Sequence, residues 1–431
     1  MIRLALLLIA VIAIAGCSGD NESPPTTSTP RTVPTTPPFG FTPVPTEPTP
    51  GAAGAPRQPD GLSVEPQGAT VTSRNLPNPP ASPFSAWDGA SVVLFDTQTG
   101  RETKMGRGSV SRPAFGGNHF VYVSDAEVWL VDLITMQRQS LGSGYVAYFL
   151  GDGHVVVNPG DNNFVAIELA TGARVAFGEL KDPLLKSMAQ NRWGGTFRAR
   201  WVDNRYAVRL VKDPEVVCAQ AGNDRQLCEA RAGEEWMVED VTTGQILYMF
   251  RANKVEPAGP GEIVVATTPA CRGPDNALIE CYEVLAKLEN ETPEAYIAGT
   301  SNIYVVNLES GEASFVATAT YNASVRFWPM NWPLVANASH VAWTESYCGQ
   351  PSGQTRIFDR SSTQLTEVNA SAWLSLRDGR LGFGEFGPLS VFDPRAFQYT
   401  AVLPDLKDVS WSADMRYAAV GAAFGHGGMC G

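Results

Sequence analysis

The sequence has few of the residues, and none of the short motifs, on which common catalytic and metal sites depend. It contains 4 histidines in 431 residues, and it lacks a Gly-x-Ser-x-Gly elbow, a His-Glu-x-x-His helix and a Walker loop. Its 7 cysteines include no Cys-x-x-Cys pair, so no zinc site is predicted. Lys and Arg number 32 against 44 Asp and Glu, and the net charge of -12 argues against nucleic acid and anionic lipid as partners. These absences predict a protein without a metal or other cofactor.

Long apolar runs are absent too, with one exception at the N-terminus. Arg3 precedes the apolar stretch Leu4–Ile14, which is short for a membrane span and typical of a signal peptide. The sequence Ile-Ala-Gly-Cys that ends at Cys17 resembles the bacterial lipobox. This resemblance implies cleavage after residue 16 and lipidation of Cys17, with the acyl chains holding the protein on an envelope membrane. We therefore predict an extracytoplasmic lipoprotein with the signal peptide at 1–16; a buried N-terminal helix is the alternative.

Residues 17–83 have the composition of a linker. The part from Ser18 to Pro59 is mostly Pro, Thr, Ser, Gly and Ala, with few large apolar side chains, and it cannot bury a core. Its proline content favours extended segments that hold a folded body away from the membrane. A disordered leader without a spacing role is the alternative interpretation.

Two short signatures alternate along the remaining residues, 84–431. In the first, a strand ends in Asp, Glu or Asn before a tight turn, at Asp96, Asp132, Glu168, Asp240, Asn307, Asp359 and Asp393. In the second, a turn is followed by His, Arg or Glu and then a strand, at His119, His154, Arg205, Glu262, His340, Arg380 and Arg416. If the repeats form a ring, equivalent positions of different repeats lie far apart, so we interpret the three histidines as structural. Seven repeats of four antiparallel strands are predicted.

The order of the signatures predicts that the two ends of the chain complete one repeat together. Strands near 407–411 and 417–421 are expected to pair with strands near 91–96 and 102–105, because this closes the sheets into a ring without open edges. Continuous apolar stretches such as Ile303–Val306 indicate strands that are covered on both faces.

One stretch carries a resemblance to a known family. Residues 409–420 read VSWSADMRYAAV, which is similar to the repeat of TolB-like, WD-repeat-like β-propellers; residues 201–208 and 373–383 are looser copies. The resemblance implies an all-β, seven-bladed β-propeller over residues 84–431. An eight-bladed ring and a two-sheet sandwich are the alternatives.

Three insertions interrupt the repeats, and the cysteines lie in or beyond them. The insertions are 212–235, 269–299 and 346–354, each after the second strand of a repeat, so all three should leave the same face. With Cys17 lipidated, six cysteines remain in an oxidising compartment. The shortest closures predict the disulfides Cys218–Cys228, Cys271–Cys281 and Cys348–Cys430; metal binding by these thiols is the alternative.

Aromatic residues provide the candidate binding positions. Rings near the insertions can form a platform for a sugar or a peptide, or they can pack between the repeats. The candidates are the aromatic residues Trp193, Tyr282, Trp328, Trp332 and Tyr347, together with Arg272. The sequence thus predicts a monomeric, tethered, non-catalytic module that binds a protein or an envelope polymer. An exported lyase or hydrolase with its active site in a central funnel is the alternative, and an assembly subunit that serves as a rigid spacer is a third possibility.

Overall fold

The residues that the structure describes form an almost entirely β structure, which confirms the predicted all-β class. The coordinates are a computed structural model. They describe residues 56–108, 113–150, 153–160, 164–181, 200–203, 205–211, 235–272, 278–281, 296–324, 334–345, 354–368, 375–377, 380–383, 390–404 and 409–421. The predicted signal peptide, Cys17 and the linker as far as residue 55 lie outside these ranges.

The described strands are short, and most of them follow one another closely in the sequence. The first are β1 (Val71–Arg74), β2 (Ser91–Asp96), β3 (Arg101–Arg107), β4 (Ala114–Gly116), β5 (His119–Ser124), β6 (Glu127–Asp132), β7 (Arg138–Ser143), β8 (Val146–Leu150), β9 (His154–Asn158), β10 (Val165–Glu168) and β11 (Arg174–Ala176). A short 3-10 helix, Phe177–Glu179, follows β11.

The middle of the chain contains the longest strands. They are β12 (Arg200–Val202), β13 (Tyr206–Leu210), β14 (Glu235–Asp240), β15 (Gln245–Gly259), β16 (Glu262–Thr267), β17 (Ala270–Arg272), β18 (Leu278–Glu280), β19 (Tyr296–Asn307) and β20 (Ala313–Ser324). The last part contributes β21 (Leu334–Ala336), β22 (His340–Glu345), β23 (Gln354–Asp359), β24 (Gln364–Val368), β25 (Ser375–Arg377), β26 (Arg380–Phe383), β27 (Ser390–Asp393), β28 (Gln398–Val402), β29 (Ser410–Trp411) and β30 (Tyr417–Val420).

These strands form six hydrogen-bonded sheets within the described residues. Sheet I is β29-β30-β2-β3, sheet II is β4 to β7, sheet III is β8 to β11, and sheet VII is β25 to β28. Sheet VI is β21 to β24 with β1 added at its outer edge, and the nine-stranded sheet IV/V holds β12 to β20.

Sheet IV/V consists of two antiparallel halves that share one long strand. Residues 245–251 of β15 pair with β14, whereas residues 252–259 pair with β16, and the register shifts between Ala252 and Lys254. The strand therefore ends one four-stranded unit (β12 to β15) and begins the next (β15, β16, β19, β20). We call these units IV and V.

Sheet I joins the two ends of the described chain. β2 pairs antiparallel with β30, with Asp96 opposite Tyr417 and Val93 opposite Val420. The predicted pairing of the terminal strands is confirmed.

The two sequence signatures meet at one end of each sheet, which we call the turn end. His119 pairs with Asp132, His154 with Glu168 and His340 with Asp359 across neighbouring strands. The acidic or amide side chain accepts hydrogen bonds from its own turn, as when Asp132 Oδ1 accepts from Ile134 N and Thr135 N at 2.8 and 2.9 Å. Such side chains stop the strand and close the hairpin. The signatures are therefore two halves of one turn structure.

Apolar runs along the strands pack on both faces, as their sequences predict. In β19, Ile303 and Val305 pack in a cluster with Trp343 of sheet VI, while Tyr304 and Val306 pack in another with Val208 of unit IV. Alternate residues of β2 likewise face sheet II and sheet VII. Each fully buried side chain of this size contributes about 1.5–3 kcal/mol, so the faces between sheets hold the core.

The structure corrects one part of the predicted linker. Residues 57–76, which we call the N-terminal belt, are not disordered but lie along the last strands of units IV and V and of sheet VI (β15, β20 and β24), which we call the outer strands. Within this belt, β1 pairs in parallel with β24, with Val71 opposite Leu365, and Arg57 and Asp60 form bridges to Tyr248 and Glu312. No sequence pattern predicts this path, because the belt is polar and contains proline, and its contacts are made mainly by the backbone.

Candidate interaction surface

The three predicted insertions leave the sheets at the end opposite the turn end, which we call the insertion end. The first begins after Leu210, which pairs with Trp236, and the third lies between Glu345 and Gln354, which pair with each other. The second begins beyond Thr267 at the end of β16. All three therefore extend from the same end of neighbouring units.

Hydrogen bonds connect the strand ends from which the insertions leave. Trp236 is buried, and its Nε1 donates to the carbonyl oxygen of Ala252 at 3.1 Å, at the point where β15 passes from unit IV to unit V. Thr320 N of β20 donates to Glu345 Oε1 at 3.1 Å, which joins unit V to sheet VI. The bases of the insertions are thus held together directly.

The second insertion contains an extension of unit V beyond the end of β16. β19 and β20 continue as a ladder as far as Tyr296 and Ser324, and the hairpin β17-β18 joins this ladder where Ala270 pairs with Thr300. We call β17, β18, residues 296–300 and residues 320–324 the braced extension. It continues sheet IV/V beyond the insertion end.

A disulfide braces this extension from within. Cys271 and Cys281 are bonded, with Cα atoms 4.8 Å apart, as the sequence predicts for this pair, and both residues are buried. Gly299 lies against the bond: a Cβ atom at this position would come within 2.8 Å of both sulfur atoms. The close approach of β19 to the disulfide therefore requires glycine.

A buried polar group lies where the extension joins unit V. Ser301 Oγ donates to the carbonyl oxygen of Thr267 at 2.6 Å, and Asn302 N donates to Thr267 Oγ1 at 2.9 Å. All three residues are buried. Because buried polar groups are costly without partners, these bonds define the position at which β19 leaves the body.

A charged group supports the neighbouring insertion of sheet VI. Besides the bond from Thr320, Glu345 Oε1 accepts from Trp343 Nε1 at 3.1 Å and lies 3.2 Å from Arg356 Nη1. Arg356 Nε also lies 3.3 Å from Glu367 Oε2. Only 10% of the Glu345 side chain is exposed, so removing either partner would leave a poorly solvated charge.

A third charged pair lies near the first insertion, on unit IV. Arg209 and Glu239 form an ion pair on neighbouring strands, and the Arg209 Nε atom is buried. Burial lowers the pKa of Arg209 below its ordinary value. These charges lie on the face of unit IV that points away from unit V, because the alternate residues Val208 and Val238 pack toward unit V.

Most of the predicted binding residues lie outside the described ranges. These are Trp193, Tyr282, Trp328, Trp332 and Tyr347, together with Cys17, Cys218, Cys228, Cys348 and Cys430. Arg272 lies at the end of β17 opposite Leu278, in the braced extension. Sequence reasoning missed Gly299 and the buried Asn302, although a glycine within a strand and an amide before an apolar run are signals of close approach and of buried hydrogen bonding.

The described residues contain neither a cluster suited to a metal ion nor a helix suited to a membrane span. Within those ranges, no group of three or more His, Cys, Asp or Glu residues could hold a metal ion. Nor does any helix in the described part of the chain have the length and apolar character needed to cross a bilayer.

Comparisons with known proteins give no family for this chain. No protein-family model and no curated protein matches it. Among solved structures, it is similar to an oligogalacturonate lyase in complex with manganese (13% identity, TM-score 0.37, covering 70% of this chain and 85% of the lyase). It is also similar to an oligogalacturonate lyase from Vibrio parahaemolyticus (11%, 0.38, 77% and 98%) and to an acylaminoacyl peptidase from Pyrococcus horikoshii (11%, 0.36, 70% and 47%). At these identities and TM-scores the similarities assign no activity.

Proposed function

We propose that this chain is an exported, tethered β-propeller that binds a protein or an envelope polymer through the insertion end. The observation that carries the proposal is the set of bonds that fixes the braced extension at the insertion end. The braced extension is held by a disulfide and by buried polar bonds, and a hydrogen bond from Thr320 N to Glu345 joins it to sheet VI. Binding loops on a rigid scaffold lose less conformational freedom when they bind a partner.

The propeller proposal rests on the succession of packed units. When units IV and V are counted separately, the described strands group into seven four-stranded units, which supports a seven-bladed arrangement. Shared apolar clusters support six contacts between them: VII with I, I with II, II with III, IV with V, V with VI, and VI with VII. Packing of sheet III against unit IV would close the ring. On the face of sheet III away from sheet II, Tyr148, Leu150, Val156 and Phe164 are buried in one apolar cluster, which supports this packing.

The proposed location rests on the disulfide and the lipobox-like sequence, and the proposed partner class rests on the net charge. A buried disulfide suits an oxidising, extracytoplasmic compartment, and the lipobox-like sequence supplies the anchor at Cys17. The excess of acidic residues favours a neutral or basic partner.

The binding surface can be tested by removing the braced hairpin while keeping the body. Ala270 pairs directly with Thr300, so a two-residue Asn-Gly turn in place of residues 271–299 can reconnect the strands. We expect the variant to fold with an unchanged circular-dichroism spectrum and to lose the partners captured by the full chain from solubilised envelope. Unchanged capture by the folded variant would contradict the proposed binding surface.

The tether can be tested separately. Cys17→Ser should move the protein from the membrane fraction to the soluble fraction, whereas the control Cys218→Ser should leave it in the membrane fraction. Membrane retention of the Cys17 variant would contradict the lipid anchor.

A further inference from the structure

The N-terminal belt crosses several sheets and is bound at each of them. It begins on β15 of unit IV, passes the β19–β20 turn of unit V and continues as β1 on sheet VI. Leu76, at its end, packs in the cluster shared by sheets VI and VII. Its polar contacts join residues between 191 and 294 positions apart in the sequence. No local pattern could specify this path.

Its first binding position is an aromatic platform on unit IV. Arg57 lies over the buried Tyr248 ring, with its guanidinium carbon 5.2 Å from the ring centroid, and its Nη2 donates to Tyr248 Oη at 3.1 Å. The belt backbone pairs there as well, since Met249 N donates to the carbonyl oxygen of Arg57 at 3.1 Å. Gly311 leaves room for the ring, because a Cβ atom at that position would come within 2.7 Å of Tyr248 Oη.

The second position is a buried amide that binds two belt carbonyls. Asn302 Nδ2 donates to the carbonyl oxygens of Ser63 and Glu65, both at 2.7 Å. Its Oδ1 accepts from Thr318 Oγ1 at 2.7 Å, and only 1% of Asn302 is exposed. An amide nitrogen has two protons to donate, and here the belt accepts both of them. Without the belt, this buried group would lose both acceptors.

Hydroxyl groups and a strand edge complete the contact. The buried Tyr304 Oη lies 3.2 Å from both the nitrogen and the oxygen of Ser63, and Thr318 Oγ1 lies 3.0 Å from Gln67 N. Further along, β1 adds to the edge of β24, and the Arg74 guanidinium carbon lies 3.3 Å from the Phe397 ring centroid.

Most side chains of the belt point to solvent. All four residues of β1 are exposed, as are Glu65 and Gln67, while Leu62 is partly buried against unit V. The body therefore recognises the belt mainly through its backbone, as in proteins that bind a peptide by adding a strand.

We propose that the outer strands of sheets IV/V and VI form a peptide-binding groove for an extended polypeptide, occupied by the chain's own residues 57–76. The groove is made by Tyr248, Asn302, Tyr304, Thr318 and the edge of β24. It binds its peptide without help from the covalent connection to sheet I. The inference does not depend on the partner proposed for the insertion end.

Cutting the chain after folding tests this groove. A specific protease site placed in the exposed segment 77–81 separates the belt from the body in the otherwise intact protein. We expect the N-terminal fragment to remain bound in gel filtration, and we expect Asn302→Asp to release it at least about tenfold faster, since a carboxylate cannot donate to the two carbonyls. Glu65→Ala is the matched control, because only the backbone of Glu65 is bound, and it should release at the unsubstituted rate.

A second variant, with its substitution in the belt instead of the groove, keeps the test valid if Asn302→Asp does not fold. Arg57→Ala leaves every residue of the groove in place and should also speed release by several fold through loss of the Tyr248 contact. Immediate loss of the cut fragment from the unsubstituted protein, or equal release rates for it and for Arg57→Ala, would overturn the proposal.

Discussion

Asp240 illustrates, at the scale of one residue, why the acidic position recurs at the turn ends. It ends β14, and only 4% of its side chain is exposed. Arg205 Nε and Nη2 both lie 3.0 Å from Asp240 Oδ2, and Thr242 Oγ1 donates to Oδ1 at 2.6 Å. Burial by itself would raise the pKa of Asp240, but the hydrogen bonds from Thr242 and Arg205 outweigh it and lower the pKa below 3.8.

Replacing this carboxylate should reduce stability in a pH-dependent way. Asp240→Asn is expected to lower the free energy of unfolding at pH 7 by about 1–3 kcal/mol, because Arg205 loses its charged partner. Because Asp240 has a lower pKa in the folded protein than in the unfolded chain, its ionised form stabilises the fold above the unfolded pKa. This contribution is lost as the pH falls below about 3.8. In urea unfolding, the variant should therefore lose less stability than the unsubstituted protein when the pH is lowered from about 5 to about 2. Glu309→Gln, whose side chain is 72% exposed, is the control and should change stability by less than about 0.5 kcal/mol.

His340 should affect stability in mildly acidic solution. It is 1% exposed, its Nδ1 lies 2.8 Å from Ser339 Oγ, and burial lowers its pKa from 6.5, although the nearby Asp359 and Asp393 act in the opposite direction. A lowered histidine pKa means that the unfolded chain binds the proton first, so stability falls as the pH drops below 6.5. His340→Gln should make the midpoint of thermal unfolding less dependent on pH in this range. An unchanged pH profile would contradict the buried neutral histidine.

At the scale of elements, the braced extension can be disturbed without the body. Gly299→Ala places a methyl group within 2.8 Å of Ala270 O and of both sulfur atoms of the disulfide, so β17-β18 must move away from β19. We expect reduced protection of residues 270–281 in hydrogen exchange, weaker partner capture and little change in the main thermal transition. Gly68→Ala, with nothing within 4 Å of the added Cβ, is the control. Normal protection in Gly299→Ala would show that the contact is loose.

The strand pattern was easier to predict than the extension. Turn-forming Asp and Asn residues act on their own neighbours, so the hairpins at Asp132 and Asp240 follow from local sequence. The ladder from Tyr296 to Ser324 does not, because it depends on where the Cys271–Cys281 bond lies against Gly299.

At the scale of the whole molecule, β30 joins β29 to β2 in sheet I. Tyr417, Ala418, Ala419 and Val420 are all buried between β29 and β2. Truncation after Trp411 should expose the edge of β2 and both adjacent clusters, and we expect an insoluble or unfolded product. Truncation after residue 421 keeps sheet I complete and should remain folded. Because it also removes Cys430, any smaller loss of stability in this control measures the predicted bond to Cys348. A soluble, cooperative protein lacking β30 would contradict this role.

The belt begins at the end of unit V opposite the braced extension. Arg57 Nη2 lies 3.3 Å from the carbonyl oxygen of Ser310, at the turn end of unit V. The braced extension is at the other end of β19, which has 12 residues and thus spans about 40 Å. The first described residues of the belt therefore lie at the end of unit V that does not carry the candidate surface.

The sequence by itself determined the all-β class, the hairpin turns, the coverage of both strand faces and the pairing of Asp96 with the strand of Tyr417. Each of these follows from patterns within a few residues or from the phase of a repeat. Only the tertiary structure decided that residues 57–76 bind along the outer strands, that Asn302 holds Ser63 and Glu65, and that Thr320 joins Glu345. These contacts unite polar residues from distant segments, and a polar side chain has the same local pattern whether water or a remote backbone group is its partner.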